Sequence, residues 1–222
     1  DPLESYHRAK EFYQKEQYSL AYPIFRDLSA SRREPDYSNY RIPFEEVDYY
    51  TIACALKQNE GTAEEQALVF TDLQSNLALR QKMSFQLGEY YFRKQRFKDA
   101  IEMYEKTSEG NLNEKEIADM KFHQGYSYFT LQQFDRAKPL LNAVRLMPDH
   151  PNFKDANYYY GFIAFRDRQY NDAMDAFRKV ENDPEYAKVV PYYIANILFL
   201  QGRKEEALKY AGLLGEWFKR TT

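Results

Sequence analysis

The sequence predicts an all-α protein in which about six helix-turn-helix hairpins stack into an α-solenoid. Two observations predict it: a series of small and aromatic residues recurs at a nearly constant period, and apolar residues within each copy recur at helical spacing. The clearest copy consists of Gly88, Tyr91, Phe97, Ala100 and Tyr104. A period of several tens of residues is typical of stacked repeats in which each unit contacts its neighbours.

The series recurs twice downstream, after 37 and then 36 residues. Each copy is interpreted as two amphipathic helices that pack against each other. A glycine inside a helix costs about 1 kcal/mol relative to alanine, so its recurrence at one phase needs a packing reason. We expect the two helices to approach closely at Gly88 and Ala100, with aromatic rings around that contact. The two later copies are Gly125, Tyr128, Phe134, Ala137, Leu141 and Gly161, Ala164, Tyr170, Ala173, Phe177.

These residues resemble the tetratricopeptide repeat family, whose pattern is a Leu-Gly pair, a Tyr three residues later, then an Ala, an aromatic residue and a Pro. The match is strongest between Leu87 and Tyr104, and the next two copies end at Pro148 and Pro184. The early Trp of the family is missing from every copy, and the sole Trp217 lies near the end. The resemblance implies a right-handed superhelix with a concave inner face.

Weaker copies before and after these three complete the array. Successive small residues are separated by 44, 35, 37, 36 and 34 residues. The first interval is long, so we expect a loop at 29–43, which is either an ordinary insertion or a functional segment. After Gly61 the pattern slips, which indicates a longer turn, and a helix is expected to start at Asn113–Glu114. The predicted repeats, taken as one array and a piece of a longer protein, are 1–42, 43–80, 81–116, 117–152, 153–187 and 188–222.

Composition excludes several classes of protein. The chain has 222 residues, 44% of them hydrophobic, which suffices for a continuous core. The net charge of −3 is too small to imply a nucleic acid or an anionic membrane as partner. No apolar run approaches the roughly 20 residues that span a bilayer, so no membrane insertion is expected.

Catalytic motifs are missing from the sequence. His7, His123 and His150 form no zinc-spaced cluster with the single Cys54, and no glycine-rich phosphate loop is present. We therefore expect no catalytic activity, cofactor or metal. An enzyme remains an alternative only if the catalytic part lies outside this chain, which would then be its regulatory domain.

The resemblance also implies where a partner would bind. In this family the first helix of each repeat lines the concave groove, at positions three before, one after, four after and five after the Gly or Ala. Most of these positions are aromatic here, with an interruption at Lys57 and an edge formed by Lys82, Arg93 and Arg166. Two interpretations stay open: a partner-binding surface, and a stripe that only packs the scaffold. The candidate residues are Tyr50, Phe85, Glu89, Phe92, Arg93, Phe122, Tyr126, Phe129, Tyr158, Phe162, Phe165, Arg166, Tyr192 and Phe199.

The sequence thus predicts a scaffold that binds a peptide or partner protein in an aromatic-lined groove. The alternatives are a structural spacer or an accessory domain of a larger envelope protein. A carboxylate clamp is disfavoured because only Lys10 and Lys82 are suggestive of one, and base stacking is disfavoured by the pI of about 5.8.

The two ends of the chain add two expectations. The chain ends in an apolar segment with Trp217 and Phe218 instead of a polar cap, so self-association through the last hairpin is a further prediction. The tyrosine-rich repeats that begin at Asp1 resemble envelope proteins of Gram-negative bacteria. A periplasmic or outer-membrane-associated location is therefore an expectation, with the cytoplasm as the alternative.

Overall fold

A computed structural model describes residues 1–221, and of residues 213, 214 and 216–221 it describes the backbone only. Within residues 1–221 the chain forms twelve α-helices and no strand, which confirms the all-α prediction. The contacts divide the chain into two compact units. Unit 1 is Asp1–Asn113, and unit 2 starts at Glu114.

Unit 1 contains three hairpins, in which α1 pairs with α2, α3 with α4, and α5 with α6. The Asp1 side chain caps α1 by accepting the Leu3 N–H at 2.8 Å. The loop expected at 29–43 spans 31–43 and contains a short 3₁₀ helix, Pro35–Tyr37. The helices are α1 (Pro2–Gln14), α2 (Tyr18–Ala30), α3 (Phe44–Lys57), α4 (Ala63–Leu73), α5 (Leu77–Arg93) and α6 (Phe97–Glu105).

Unit 2 also contains three hairpins, in which α7 pairs with α8, α9 with α10, and α11 with α12. The helix expected near Asn113–Glu114 starts at Glu114. Within the unit, α9 also packs against α8 and α11 against α10, so a continuous core runs through the unit. The helices are α7 (Glu114–Thr130), α8 (Phe134–Arg145), α9 (Phe153–Arg166), α10 (Tyr170–Arg178), α11 (Val190–Leu200) and α12 (Lys204–Thr221).

Every hairpin turn contains a residue in the left-handed backbone region. One residue per turn has a positive φ between 57° and 77°. In the hairpin of α9 and α10, the N–H of Arg168 donates to the Phe165 carbonyl and the N–H of Gln169 donates to the Ala164 carbonyl. This is the Schellman motif, which supplies hydrogen-bond donors to carbonyl groups that have none within the helix. The positive-φ residues are Glu16, Asn59, Gln95, Gln132, Arg168 and Gly202.

The recurring glycines make room for side chains of the second helix. A Cβ on Gly88 would lie 2.6 Å from the Tyr104 ring, and one on Gly161 would lie 2.8 Å from the Phe177 ring. At Gly125 the space is filled by Leu141, 3.1 Å from a Cβ. The close approach at each glycine is therefore made by a large side chain of the second helix.

The second hairpin accounts for the slip in the pattern. Its turn covers residues 58–62, two residues more than the three-residue turn at 94–96. In α4, Ala63, Ala67 and Phe70 are buried at regular helical spacing. The expected longer turn is confirmed, and the helical pattern resumes once it has passed.

Candidate functional site

Five aromatic rings surround a cavity of about 330 Å³ in unit 2. Tyr126 and Phe129 lie one turn apart on α7, and Tyr159 and Phe162 lie one turn apart on α9. Phe134, the first residue of α8, closes one end. We call this set the aromatic pocket. All five side chains are partly exposed, so the pocket opens to solvent.

The rings of the aromatic pocket hold one another in place. Phe129 lies at the centre, with centroid distances of 4.7 Å to Tyr159, 5.4 Å to Phe162 and 5.4 Å to Phe134. Tyr126 meets Tyr159 edge to face at 5.3 Å. Tilted and edge-to-face contacts of this kind add about 0.5–1.5 kcal/mol per pair beyond the burial of their area. The pocket is therefore formed before any ligand arrives.

A polar cavity of about 540 Å³ adjoins the aromatic pocket and shares Gln132 and Phe134 with it. Arg136 and Arg166 line this second cavity. The Arg166 guanidinium lies 4.7 Å from the Phe134 ring centroid and 3.7 Å from an Asp167 carboxylate oxygen. Apolar and charged groups are thus presented side by side at the turn end of α7 and α9.

The aromatic contacts continue along unit 2 into its core. Phe165 meets Tyr193 at 5.2 Å, and Tyr193 stacks on Phe177 at 5.0 Å. Tyr158 stacks on Tyr186 at 4.5 Å. Burial raises the pKa of the Tyr158 and Tyr186 hydroxyls, with a carboxylate hydrogen bond adding to the effect at Tyr186. One ring face of Tyr158 is therefore occupied by packing.

Several candidate residues of unit 2 meet at the aromatic pocket or its rim, namely Tyr126, Phe129, Phe162 and Arg166. Phe122 is only 5% exposed and belongs to the core. The remaining candidates of the unit are Tyr158 and Phe165, which pack on their neighbours, and Tyr192 and Phe199, which line a different groove.

That groove, between α11 and α12, has a volume of about 600 Å³. Phe199 is 60% exposed and Leu208 is 70% exposed along it. The corresponding positions of the preceding hairpin, Phe165 and Met174, are half-buried and buried. The groove therefore exposes apolar side chains at positions that are more deeply buried in the preceding hairpin. The sequence-predicted Trp217 and Phe218 lie outside the described side chains.

The candidate residues of unit 1 are buried or contact other residues of the same unit. Tyr50 stacks on Phe25 at 5.0 Å, and Phe92 meets Phe97 at 5.9 Å. Phe85 is only 4% exposed. The other two take part in hydrogen bonds: Glu89 accepts the Tyr104 hydroxyl at 2.6 Å, and Arg93 donates to the Leu56 carbonyl at 3.1 Å.

Sequence reasoning missed three rings, Tyr159, Tyr193 and Phe134. Tyr159 lies two residues before Gly161, and Tyr193 lies two residues before Ala195. Each is therefore about one helical turn before the predicted groove position that directly follows the Gly or Ala. Including the residue one turn before that position would have found both rings. Phe134 was assigned to packing, although its ring also lines the aromatic pocket.

Polar groups elsewhere have structural roles. His150 Nδ1 accepts the Asn152 N–H at 3.0 Å, and its Nε2 lies 2.8 Å from Asp119 Oδ1. Burial raises the pKa of the Cys54 thiol to about 12, so it carries little thiolate near neutral pH. Among the described residues, no group of three or more His, Cys, Asp or Glu is placed to hold a metal ion. No helix in the described part of the chain combines the length and apolarity needed to cross a membrane.

Comparison with known proteins gives a consistent result. Residues 122–187 match a family model described as tetratricopeptide repeat. No curated protein sequence matches the chain. The protein MamA AMB-1 has a similar structure, with a TM-score of 0.58, 18% identity, and coverage of 79% of this chain and 92% of that one.

Two further solved structures extend the similarity over nearly the whole chain. The C-terminal part of a TPR repeat-containing protein from Cytophaga hutchinsonii has a TM-score of 0.58, 17% identity, and coverage of 96% of this chain and 83% of that one. A tetratricopeptide repeat protein from Parabacteroides merdae has a TM-score of 0.53, 12% identity, and coverage of 97% and 79%. Residues 122–187 therefore match the tetratricopeptide repeat family in sequence, and the chain shares the fold of solved tetratricopeptide repeat structures over most of its length.

Proposed function

We propose that the chain is a non-catalytic scaffold that binds a segment of another protein, with an apolar side chain of that segment in the aromatic pocket. One observation carries the proposal: five partly exposed rings surround a cavity of about 330 Å³. Aromatic rings give a large contact area for little loss of side-chain entropy, and they are enriched where binding energy concentrates.

The neighbouring polar cavity supports this assignment. A bound segment has backbone N–H and C=O groups that need partners once water is displaced. Gln132 lines both cavities, and Arg166 lies at the edge where they meet. Because ring contacts already order the pocket, little further ordering entropy opposes association.

The test is a selection of displayed random peptides on the chain, followed by affinity measurements with one selected peptide. Phe129→Ala combined with Phe162→Ala is expected to weaken binding by at least about tenfold, since truncating residues of a binding hot spot costs about 2 kcal/mol or more. Phe153→Ala is the matched control, because Phe153 is a partly exposed ring of α9 that does not line the pocket. Circular dichroism checks that each variant keeps its helical content.

The alternatives give different results. If the chain is a structural spacer, selection yields no peptide whose affinity depends on Phe129 or Phe162. If it is a regulatory domain of an enzyme in a longer protein, turnover by that protein is lost when the part outside this chain is deleted. Equal affinity of the double variant and the Phe153→Ala control would refute the proposal.

A second proposal is self-association through the groove of α11 and α12. It rests on the exposure of Phe199 and Leu208 beside a cavity of about 600 Å³. Light scattering after size-exclusion chromatography is expected to give a mass above that of the monomer that increases with concentration. Phe199→Lys combined with Leu208→Lys is expected to restore the monomer. A monomeric wild-type chain at every concentration would contradict this proposal.

A further inference from the structure

The second helix of the second hairpin, α4, exposes aliphatic side chains to solvent. Leu68 is 36% exposed, Val69 is 50% exposed and Leu73 is 77% exposed. By contrast, every exposed side chain of α6 and of α10 is polar or charged. Single exposed apolar residues are common on protein surfaces, but a contiguous apolar patch with a polar rim marks a site of interaction.

The exposed aliphatic residues share one face of α4 with two carboxylates. The spacing i, i+3, i+4, i+7 and i+8 places side chains on one side of a helix, and α4 fills it with Glu65, Leu68, Val69, Asp72 and Leu73. We call these five residues the α4 stripe. A helix ordinarily buries a stripe of this kind against a neighbouring element, whereas here it faces solvent.

Two cavities adjoin the α4 stripe. The first has a volume of about 620 Å³ and is lined by residues of α2, α3 and α4, including the apolar Ile52, Val69 and Leu73. The second has a volume of about 400 Å³ and is lined in part by Asp72 and Leu77. A helix that lies along α4 therefore has room to insert side chains beside the stripe.

The charged groups that line the two cavities are mostly acidic. Asp48 is already paired with Arg32. In the part of the chain that the structure describes, the carboxylates of Glu65 and Asp72 take part in no ion pair or hydrogen bond. The charged lining residues are Asp48, Glu65, Asp72, Glu105, Arg80 and Lys106.

The two cations among these residues are held by other groups. Arg80 Nε donates to the Thr71 carbonyl at 2.9 Å, and Lys106 Nζ lies 3.6 Å from a Glu102 carboxylate oxygen. On the other side of α4, Glu64 pairs with Arg96 at 2.9 Å. The α4 stripe thus combines exposed apolar surface with two carboxylates that have no cation of their own.

We propose that the α4 stripe binds an amphipathic helix of a partner protein, with basic residues about two turns apart beside its apolar face. Apolar side chains of that helix pack on the three aliphatic residues, and its cations pair with Glu65 and Asp72. The site goes beyond the function proposed for the aromatic pocket, because it lies in unit 1 and uses none of the same residues.

Charge disfavours a second copy of this chain as the occupant. Two α4 stripes packed antiparallel would place Glu65 of one copy beside Asp72 of the other. Packed parallel, each carboxylate would lie beside the same carboxylate of the other copy. Like charges brought together across an interface oppose association, so a helix with basic residues fits the stripe better than the stripe fits itself.

The experiment measures the binding of two labelled helical peptides by fluorescence anisotropy. Each peptide has about five helical turns, with leucine at the a and d positions of its heptads. One peptide has lysine at the e and g positions, and the other has glutamate there. We expect the lysine peptide to bind at least about tenfold more tightly than the glutamate peptide, and to bind more weakly as salt is added.

A first variant tests the apolar part of the site. Val69→Lys combined with Leu73→Lys is expected to weaken binding of the lysine peptide by about tenfold or more, because it removes the central apolar contacts and adds like charge. Both side chains are exposed, so the fold is expected to be kept, which circular dichroism checks. The matched control, Phe199→Lys with Leu208→Lys, makes the same change of charge in the groove of α11 and α12.

A second variant tests the carboxylates. Glu65→Gln combined with Asp72→Asn is expected to weaken binding of the lysine peptide by about fourfold at low salt, since exposed ion pairs contribute modestly. The difference from the wild-type chain is expected to shrink at high salt. The matched control, Glu11→Gln with Asp172→Asn, removes the same charge from exposed positions of α1 and α10.

Each outcome decides the proposal. Selective losses in both α4 variants support it, and unchanged binding by the variant with Phe129→Ala and Phe162→Ala separates it from the function proposed for unit 2. An equal loss in an α4 variant and its control would overturn it, as would equal affinity for the two peptides or no binding of the lysine peptide.

Two further results would assign the surface or the peptide differently and would also overturn the proposal. Loss of binding only in the variant with Phe129→Ala and Phe162→Ala would place the peptide in the aromatic pocket. A smaller mass by light scattering for Val69→Lys with Leu73→Lys than for the wild-type chain would identify a second copy as the occupant.

Discussion

Replacing Phe177 with alanine is expected to lower the free energy of unfolding by about 3–5 kcal/mol, the range observed for deleting a fully buried phenylalanine ring. Phe177 has no exposed surface, and it stacks on Tyr193 with centroids 5.0 Å apart. Its ring also packs against Gly161. The substitution therefore opens a cavity where α9, α10 and α11 meet. Urea denaturation followed by circular dichroism measures the effect.

A second substitution tests whether Gly161 is needed to leave space for the Phe177 ring. Gly161→Ala alone is expected to destabilise the chain by about 1–3 kcal/mol, because its Cβ would lie 2.8 Å from the ring. In the Phe177→Ala background the obstacle is gone, so the same change should stabilise the helix by about 1 kcal/mol. The sign of the effect thus reverses between the two backgrounds.

Two controls accompany this cycle. Gly212→Ala, in α12, introduces a Cβ with no atom within 4 Å and should be neutral or mildly stabilising. Phe199→Ala removes an exposed ring and should change stability by less than about 0.5 kcal/mol. If Gly161→Ala had the same effect with and without Phe177, the packing role assigned to the repeated glycine would be wrong.

The chain is expected to lose stability steeply as the pH rises above about 10. Burial, joined by hydrogen bonds to carboxylates, raises the pKa of the Tyr6, Tyr91 and Tyr186 hydroxyls above their ordinary value of 10.0. Above that pH these hydroxyls therefore stay protonated in the folded chain but ionise in the unfolded chain. A raised folded pKa contributes stability that is complete below the unfolded pKa and disappears as the pH rises through the folded value.

The measurement is the free energy of unfolding from neutral pH to about pH 12, with tyrosinate absorbance recorded in parallel. Tyr91→Phe removes a hydroxyl that donates to Glu64 at 3.0 Å, and its stability should fall less steeply with pH. Tyr40→Phe, in the exposed loop of unit 1, is the control and should follow the wild type. Ionisation of all tyrosines near pH 10 with the helices intact would contradict the expectation.

The repeat architecture was predictable because its determinants are local. Gly88, Gly125 and Gly161 must stay small to admit a side chain from the next helix, and this requirement leaves a periodic mark. The hairpin turns leave no such mark, since five of their six positive-φ residues carry side chains. At those positions the packing of both helices imposes the conformation, so residue identity does not reveal it.

The candidate site was predictable in part. Helical spacing places Phe129 and Tyr126 on the helix that lines the aromatic pocket, but it could not show which rings would be covered by a neighbouring hairpin. Phe85 and Phe122 occupy the same repeat position as the exposed Tyr192, yet both are buried because neighbouring elements pack over them. Burial at one position thus depends on contacts between repeats, which the pattern of a single repeat does not contain.

The most direct test of the proposed binding site is nuclear magnetic resonance of the chain with a selected peptide. We expect intermolecular Overhauser effects between an apolar side chain of the peptide and the rings of Phe129, Tyr159 and Phe162. Peptide contacts confined to other surfaces, with the resonances of these three rings unchanged on saturation, would contradict the assignment of the aromatic pocket as the site where a partner binds.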